Sequence, residues 1–112
     1  METKLSKIGI AQGARYRVAS GAETCLCYAV AQVCGVGPRC IAAESEDAVI
    51  AVTCRLQPAA EDVFRRIKRH LKGAYTFTRL HEAEGLDRSQ ATLRAARVAF
   101  MDALIKEWEA EC

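Results

Sequence analysis

Proline, glycine, histidine and aromatic residues are all sparse in this sequence, and their scarcity narrows the structural class. There are two prolines, seven glycines and two histidines, and only 6% of the residues are Phe, Trp or Tyr. Neither the prolines nor the glycines gather into a linker, and the sequence has no repeat or low-complexity segment. With 112 residues, the chain is predicted to form a single domain over residues 1–112.

Long apolar runs and an excess of charge of one sign are also missing. No run approaches the roughly 18 apolar residues of a membrane span, so we expect no membrane partner. The 16 Lys and Arg nearly balance the 14 Asp and Glu, for a net charge of +2. This balance excludes a strongly basic nucleic-acid tail and an acidic solvating chain. Residues 1–18 lack the continuous apolar segment of a secretory signal, so the predicted compartment is the cytoplasm.

Cysteine is the residue that stands out by its presence. The six cysteines are Cys25, Cys27, Cys34, Cys40, Cys54 and Cys112. They include no Cys-x-x-Cys pair and no Cys–His pair at zinc-finger spacing. On a helix over residues 22–34, Cys25 and Cys27 would point about 160° apart. We therefore predict buried or half-buried free thiols, with no metal and no cofactor, because free cysteine behaves as a small apolar residue. A metal or cluster site and a redox-active pair are the alternatives.

The hydrophobic pattern along the chain predicts a mixed α+β fold. Strands are predicted at residues 14–20, 39–44, 48–56 and 74–80, with a weaker one at 4–10. Helices are predicted at residues 22–34, 59–72 and 88–110. This order matches a ferredoxin-like (split βαβ) fold, an antiparallel sheet with two helices on one face. Residues 1–86 would form that core, and residues 87–112 a C-terminal helix that packs on it or binds a partner.

Basic side chains concentrate on the solvent face of the predicted helix at 59–72 and just beyond it. Several cations on one exposed face are what phosphate binding requires. The residues that would bind an anion or nucleic acid are Arg65, Lys68, Arg69, Lys72 and Arg79. The alternative is a solvated helix face in which Glu61 pairs with Arg65 and Asp62 with Arg66. The best predicted strand, 48–56, has no aromatic residue on which bases could stack.

The C-terminal helix has a wider apolar face than packing on one surface requires. Its apolar arc covers about 200°, where a helix on its own sheet needs only about 100°. The excess predicts a protein partner or self-association as a dimer through this helix. The residues that would make that contact are Arg97, Phe100, Met101, Leu104 and Trp108. The alternative is that both sides of the helix are buried within the chain.

Signatures of catalysis are weak. The two histidines, His70 and His81, lie in no metal or nucleophile motif, and the Gly35-x-Gly37 segment is too short to cradle a phosphate. The sequence therefore predicts a small non-enzymatic interaction module, an adaptor, regulator or inhibitor that binds a surface of a larger partner. A nucleic-acid-binding domain that uses the helix at 59–72 is the alternative function. A small thiol-dependent or metal-binding protein is the third.

Overall fold

The computed structural model describes residues 4–71 and 90–111, and within these ranges the chain is helical with no β-strand. The six helices of this part are α1 (Lys7–Ala19), α2 (Leu26–Val33), α3 (Pro38–Ala43), α4 (Glu46–Leu56), α5 (Ala60–Leu71) and α6 (Gln90–Ala110). No helix in the described part is both long enough and apolar enough to cross a membrane.

The ferredoxin-like α+β prediction is therefore wrong. The predicted strands at 14–20, 39–44 and 48–56 lie in or largely overlap α1, α3 and α4, and the weaker one at 4–10 runs into the start of α1. The predicted strand at 74–80 lies outside the described residues. Because residues 4–71 contain no sheet, this described part of the segment does not form the core of a plait.

Helix α4 shows why the strand prediction failed. The Ser45 hydroxyl accepts a hydrogen bond from the Ala48 N–H at 3.2 Å, and two acidic residues follow in the first turn. This is a helix N-cap followed by acidic residues, an arrangement that stabilises the N-terminus of a helix. Val49 and Thr53, four residues apart, are the buried side chains of the helix. The Thr53 hydroxyl donates to the Val49 carbonyl at 2.7 Å, so this β-branched residue is accommodated within the helix.

Helix α1, which overlaps the predicted strand at 14–20, also begins at a serine N-cap. Ser6 caps it by accepting a hydrogen bond from the Gly9 N–H at 3.0 Å. Its buried residues follow helical spacing: Ile10, Ala11, Ala14 and Val18. This face has small side chains, and a Cβ added at Gly13 would lie 2.9 Å from Val33 Cγ1. Glycine at that position therefore lets α1 approach α2 closely.

The helices predicted from their apolar stripes are present. Those predicted at 59–72 and 88–110 correspond to α5 and α6, and the one at 22–34 is shorter than predicted because α2 begins at Leu26. The carboxylate of Glu23 accepts hydrogen bonds from the Thr24 and Cys25 N–H groups. These bonds hold residues 23–25 in a non-helical approach to α2, with Cys25 as its N-cap.

The hydrophobic core is shared by α1, α2, α5 and α6. Helix α1 lies between α2 and α6, while α5 packs on α1, α2 and α4. The largest fully buried apolar side chains of this core are Ile10, Val18, Val30, Val63, Ile67, Met101 and Leu104. A smaller cluster of Ala31, Val36 and Val49 joins α2 to α4. The C-terminal helix thus contributes to the same core as the rest of the described chain.

Ion pairs join α6 to α1 and α5 at the surface. Arg15 Nε lies 2.8 Å from Asp102, and Lys7 Nζ lies 3.5 Å from Glu111. The Arg66 guanidinium binds both carboxylate oxygens of Glu107, at 3.1 and 2.7 Å. This bidentate geometry is the strongest form of such a pair.

We expect the pair formed by Arg66 and Glu107 to make stability depend on pH. The hydrogen bond from Arg66 holds the pKa of the Glu107 carboxyl below its usual range. Its stabilisation is therefore present above the pKa of glutamate in the unfolded chain, about 4.3. It is lost as the pH falls through the lower pKa of the folded state.

Urea denaturation between pH 3 and 6 measures this effect. Glu107→Gln should make the loss of stability below about pH 4.3 less steep than in the wild type. Glu109→Gln is the matched control, because Glu109 is exposed on the same helix and has no ion pair within 4 Å in the described part of the chain. Equal pH slopes for wild type and Glu107→Gln would contradict the prediction.

Candidate functional site

The residues predicted to form a partner surface on α6 are mostly inside the molecule. Met101, Leu104 and Trp108 are fully or almost fully buried in the core, and Arg97 is 9% exposed. Phe100 is half-buried, and its ring stacks on His70 of α5 with centroids 4.3 Å apart. Helix α6 thus packs against α1, and it meets α5 through the Phe100 ring and the ion pair of Glu107 with Arg66.

Exposed apolar surface is correspondingly scarce. Among residues 4–70 and 91–111, Tyr16 is the one large hydrophobic side chain that is exposed, at 70%. An apolar docking patch made of the five α6 residues is therefore not present on the surface that the structure describes. Binding of a protein partner or of a second copy of the chain stays a prediction.

The basic residues of α5 are at the surface, but acids neutralise part of their charge. Arg65 pairs with Glu61 at 2.9 Å and with Asp62 at 3.5 Å. Lys68 and Arg69 are exposed, and neither forms an ion pair with a described residue. The other two predicted anion-binding residues, Lys72 and Arg79, lie outside the described residues.

A cleft of about 230 Å³ lies beside these basic residues, between α1, α5 and α6. It is lined by Lys7, Asp62, Arg65, Arg66, Arg69 and Trp108. Most of these cations already face a carboxylate within 4 Å, which reduces the attraction for a phosphate. Nucleic-acid binding by α5 stays a prediction.

Two cysteines lie at the start of α2. Cys25 is the N-cap residue, with φ −88° and ψ 126°, and its side chain is half-buried. Cys27 lies in the first turn and is 6% exposed. The sequence argument placed both residues on one helix with opposed side chains, whereas the extended backbone of Cys25 removes that constraint.

The surroundings of Cys25 favour its thiolate. The hydrogen bond from Cys27 lowers the pKa of Cys25 to about 7, against the opposing effect of burial. The backbone N–H groups of Tyr28 and Cys27, at the N-terminus of α2, act in the same direction as that bond. A neutral thiol is a weak acceptor and forms no capping hydrogen bond here, so these donors act chiefly on the charged form.

The other buried thiols are shifted toward the neutral form. The hydrogen bond to Cys25 and burial raise the pKa of Cys27 far above its ordinary value. Burial, with Cys54 nearby, raises the pKa of Cys34 to about 11. Burial also raises the pKa of Cys54. Cys25 is thus the described thiol with the largest thiolate fraction at neutral pH among those with a shifted pKa.

A polar network fixes the backbone that carries Cys25. One carboxylate oxygen of Glu23 accepts hydrogen bonds from the Thr24 N–H at 2.9 Å and the Cys25 N–H at 3.1 Å. The other oxygen accepts from the side-chain amide of Gln32 at 2.7 Å, and Gln32 in turn accepts from Arg17 Nε at 2.7 Å. Helices α1 and α2 therefore hold the N-cap segment in place.

Arg97 of α6 interacts with the segment that carries Cys25. Burial lowers the pKa of its guanidinium, while Cys25 and Glu23 act in the opposite direction because a cation and anions attract. Arg97, one of the five residues predicted to contact a partner, thus interacts electrostatically with Cys25 and Glu23.

The five described cysteines are free, and no three Cys, His, Asp or Glu side chains within the described ranges converge on a point where a metal ion could be held. Cys112 lies outside those residues. The Cys-x-Cys spacing did not indicate that Cys25 would be the N-cap residue of α2.

Comparisons with protein families, with curated proteins and with solved structures found no match to this chain. The function of the chain is therefore inferred from the residues around Cys25.

Proposed function

We propose that the protein is a small non-enzymatic regulatory module whose state is set by thiol chemistry at Cys25. The observation that supports this most directly is the position of Cys25, which is the half-buried N-cap residue of α2 and is followed two residues later by the buried Cys27. A network from Glu23 to Arg17 holds the segment, and the guanidinium of Arg97 lies nearby. The proposal joins the predicted regulatory role to the thiol-dependent alternative.

The reactivity of Cys25 depends on the fraction of its thiol that is ionised. The thiolate, and not the thiol, is the nucleophile in cysteine chemistry. With its pKa near 7, about half of Cys25 is ionised at neutral pH, against roughly 3% for an ordinary cysteine of pKa 8.5. Because Cys27 and Cys34 are neutral under the same conditions, reaction should be selective for Cys25.

The test is the pH dependence of alkylation. The native protein is treated with iodoacetamide from pH 5.5 to 9.5, and each site is quantified by peptide mass spectrometry. We expect Cys25 to react faster than Cys27 and Cys34, with the midpoint of its pH–rate profile near pH 7, because its thiolate forms at that pH.

Two variants of the neighbouring thiol make the test specific. Cys27→Ala removes the hydrogen-bond donor and should move the Cys25 midpoint to higher pH. Cys27→Ser retains a donor and should restore much of the shift, whereas a purely structural role for Cys27 would not distinguish the two variants in this way. Equal alkylation rates at all thiols, or a wild-type midpoint at or above about 8.5, would contradict the proposal.

A further inference from the structure

We propose that a second cleft, between α4 and α5, binds a small molecule that has one carboxylate and a short apolar tail. This cleft has a volume of about 230 Å³. It is lined by Ile50, Cys54, Glu61, Phe64, Arg65 and Lys68. None of these six residues takes part in the hydrogen-bond network that holds Cys25, so the cleft is a different site from the one described above.

Helical spacing places the lining residues on one face of each helix. On α4, Ile50 and Cys54 are four residues apart. On α5, the four lining residues from Glu61 to Lys68 recur at three- and four-residue intervals. Residues at these intervals lie on the same side of a helix. The cleft is therefore a groove between two helix faces that pack against each other.

The floor of the cleft is apolar. Phe64 is buried in the core, while Ile50 and Cys54 are half-buried and pack against the same core cluster. Burial and the nearby Glu61 carboxylate raise the pKa of the Cys54 thiol. The sulfur is therefore neutral at neutral pH and behaves as a small apolar group. An apolar tail in the cleft would remove the exposed parts of this floor from water, which is favourable.

The rim of the cleft carries one positive charge that no acid balances. Arg65 pairs with Glu61 at 2.9 Å and with Asp62 at 3.5 Å. Lys68 is exposed and forms no ion pair within the part of the chain that the structure describes. Because Glu61 already has a cationic partner, the rim attracts a ligand anion to Lys68 more than it attracts a ligand cation. A single carboxylate complements this charge.

The volume of the cleft limits the size of the ligand. Sites for drug-sized molecules have roughly 300–1,000 Å³, and this cleft is smaller. An acyl chain of medium length suits the space over Ile50 and Phe64 and places its carboxylate at the rim beside Lys68. We therefore assign amphipathic monocarboxylates as the ligand class.

Protection of Cys54 from alkylation tests the site, with octanoate as the probe. The full chain is treated with iodoacetamide at mildly alkaline pH and increasing octanoate, and the rate at each cysteine is measured by peptide mass spectrometry. Octanoate should slow alkylation of Cys54, because its tail covers the sulfur. The rate at Cys40 should not change, since Cys40 is also half-buried but does not line the cleft. Octanol lacks the charge and acetate lacks the tail, so each should protect Cys54 less than octanoate.

A charge variant tests the role of the rim. Lys68→Gln should raise the octanoate concentration at half protection by about two- to fivefold, the usual effect of one exposed ion pair. It should also remove the advantage of octanoate over octanol. Arg69→Gln is the matched control, because Arg69 is the next residue of α5 and is exposed but does not line this cleft. This control should bind octanoate as the wild type does.

The midpoint of thermal unfolding is a second readout that does not depend on the reactivity of Cys54. A ligand of the folded state raises this midpoint. Octanoate should therefore raise it more than octanol or acetate does, and less in Lys68→Gln than in the wild type. Far-UV circular dichroism checks that each variant is folded. A wild-type protein in which octanoate neither protects Cys54 nor raises the midpoint would overturn the inference, and so would equal effects of octanoate and octanol.

Discussion

Replacement of Trp108 by alanine is expected to lower the free energy of unfolding by about 3–5 kcal/mol, the usual cost of removing a large aromatic side chain from a core. Trp108 is 4% exposed and belongs to the cluster shared by α1, α2, α5 and α6. The Lys7 ammonium lies 4.7 Å from the centre of its ring, which adds a cation–π contact that the variant also loses. The loss is a large fraction of the stability of a domain this size.

Urea denaturation followed by far-UV circular dichroism measures this loss. Tyr16→Ala is the control, because Tyr16 is also a large aromatic residue but is 70% exposed on α1. We expect the control to change stability by no more than about 0.5 kcal/mol. Equal effects of the two variants would contradict the burial of Trp108. An unchanged stability, together with loss of a bound protein, would support the partner surface predicted on α6.

Replacement of Ala51 by proline is expected to cost about 3 kcal/mol or more, because proline in a helix interior removes a backbone hydrogen bond and clashes with the preceding turn. Ala51 is in the middle of α4 (Glu46–Leu56) and is exposed, so the variant disturbs the backbone without emptying the core. Denaturation midpoints and the helical signal at 222 nm should both decrease.

Glu46→Pro places the same residue at the first position of the same helix. The N–H at that position is not used within the helix, so we expect only a small loss of stability. Similar losses at positions 46 and 51, or no loss of helical signal at position 51, would contradict an α4 that begins at Glu46. The pair of variants therefore tests the element on which the strand prediction and the structure disagree most.

The sequence was sufficient for the helices with a strong apolar stripe. In α5, Val63, Phe64 and Ile67 recur at helical spacing and are all buried. That spacing leaves one interpretation, because alternate residues of a strand would not share these positions. The charge pattern of α5 was also readable: the pair of Glu61 with Arg65 was predicted and is observed. Arg66, however, pairs with Glu107 of α6 instead of Asp62.

The sequence was insufficient where β-branched residues and small residues occupy helices. Val49 and Thr53 favour strands by composition, yet they are the buried residues of α4. Preference for strands is mostly a preference for a half-buried packing surface, so tertiary packing can override it. In α1, two of the four buried residues are Ala11 and Ala14, whose low hydrophobicity weakens the periodic signal.

The candidate site, like the fold, could be predicted from the sequence only in part. The sequence determined by itself that two cysteines are separated by one residue, that helices α5 and α6 would form, and that charge is nearly balanced. Only the tertiary structure decided that Trp108 and Arg97 lie inside the chain and that Cys25 precedes α2 as its cap. The reason is physical: intrinsic helix preference acts over a few residues, whereas burial and the direction of a capping side chain depend on contacts between helices distant in sequence.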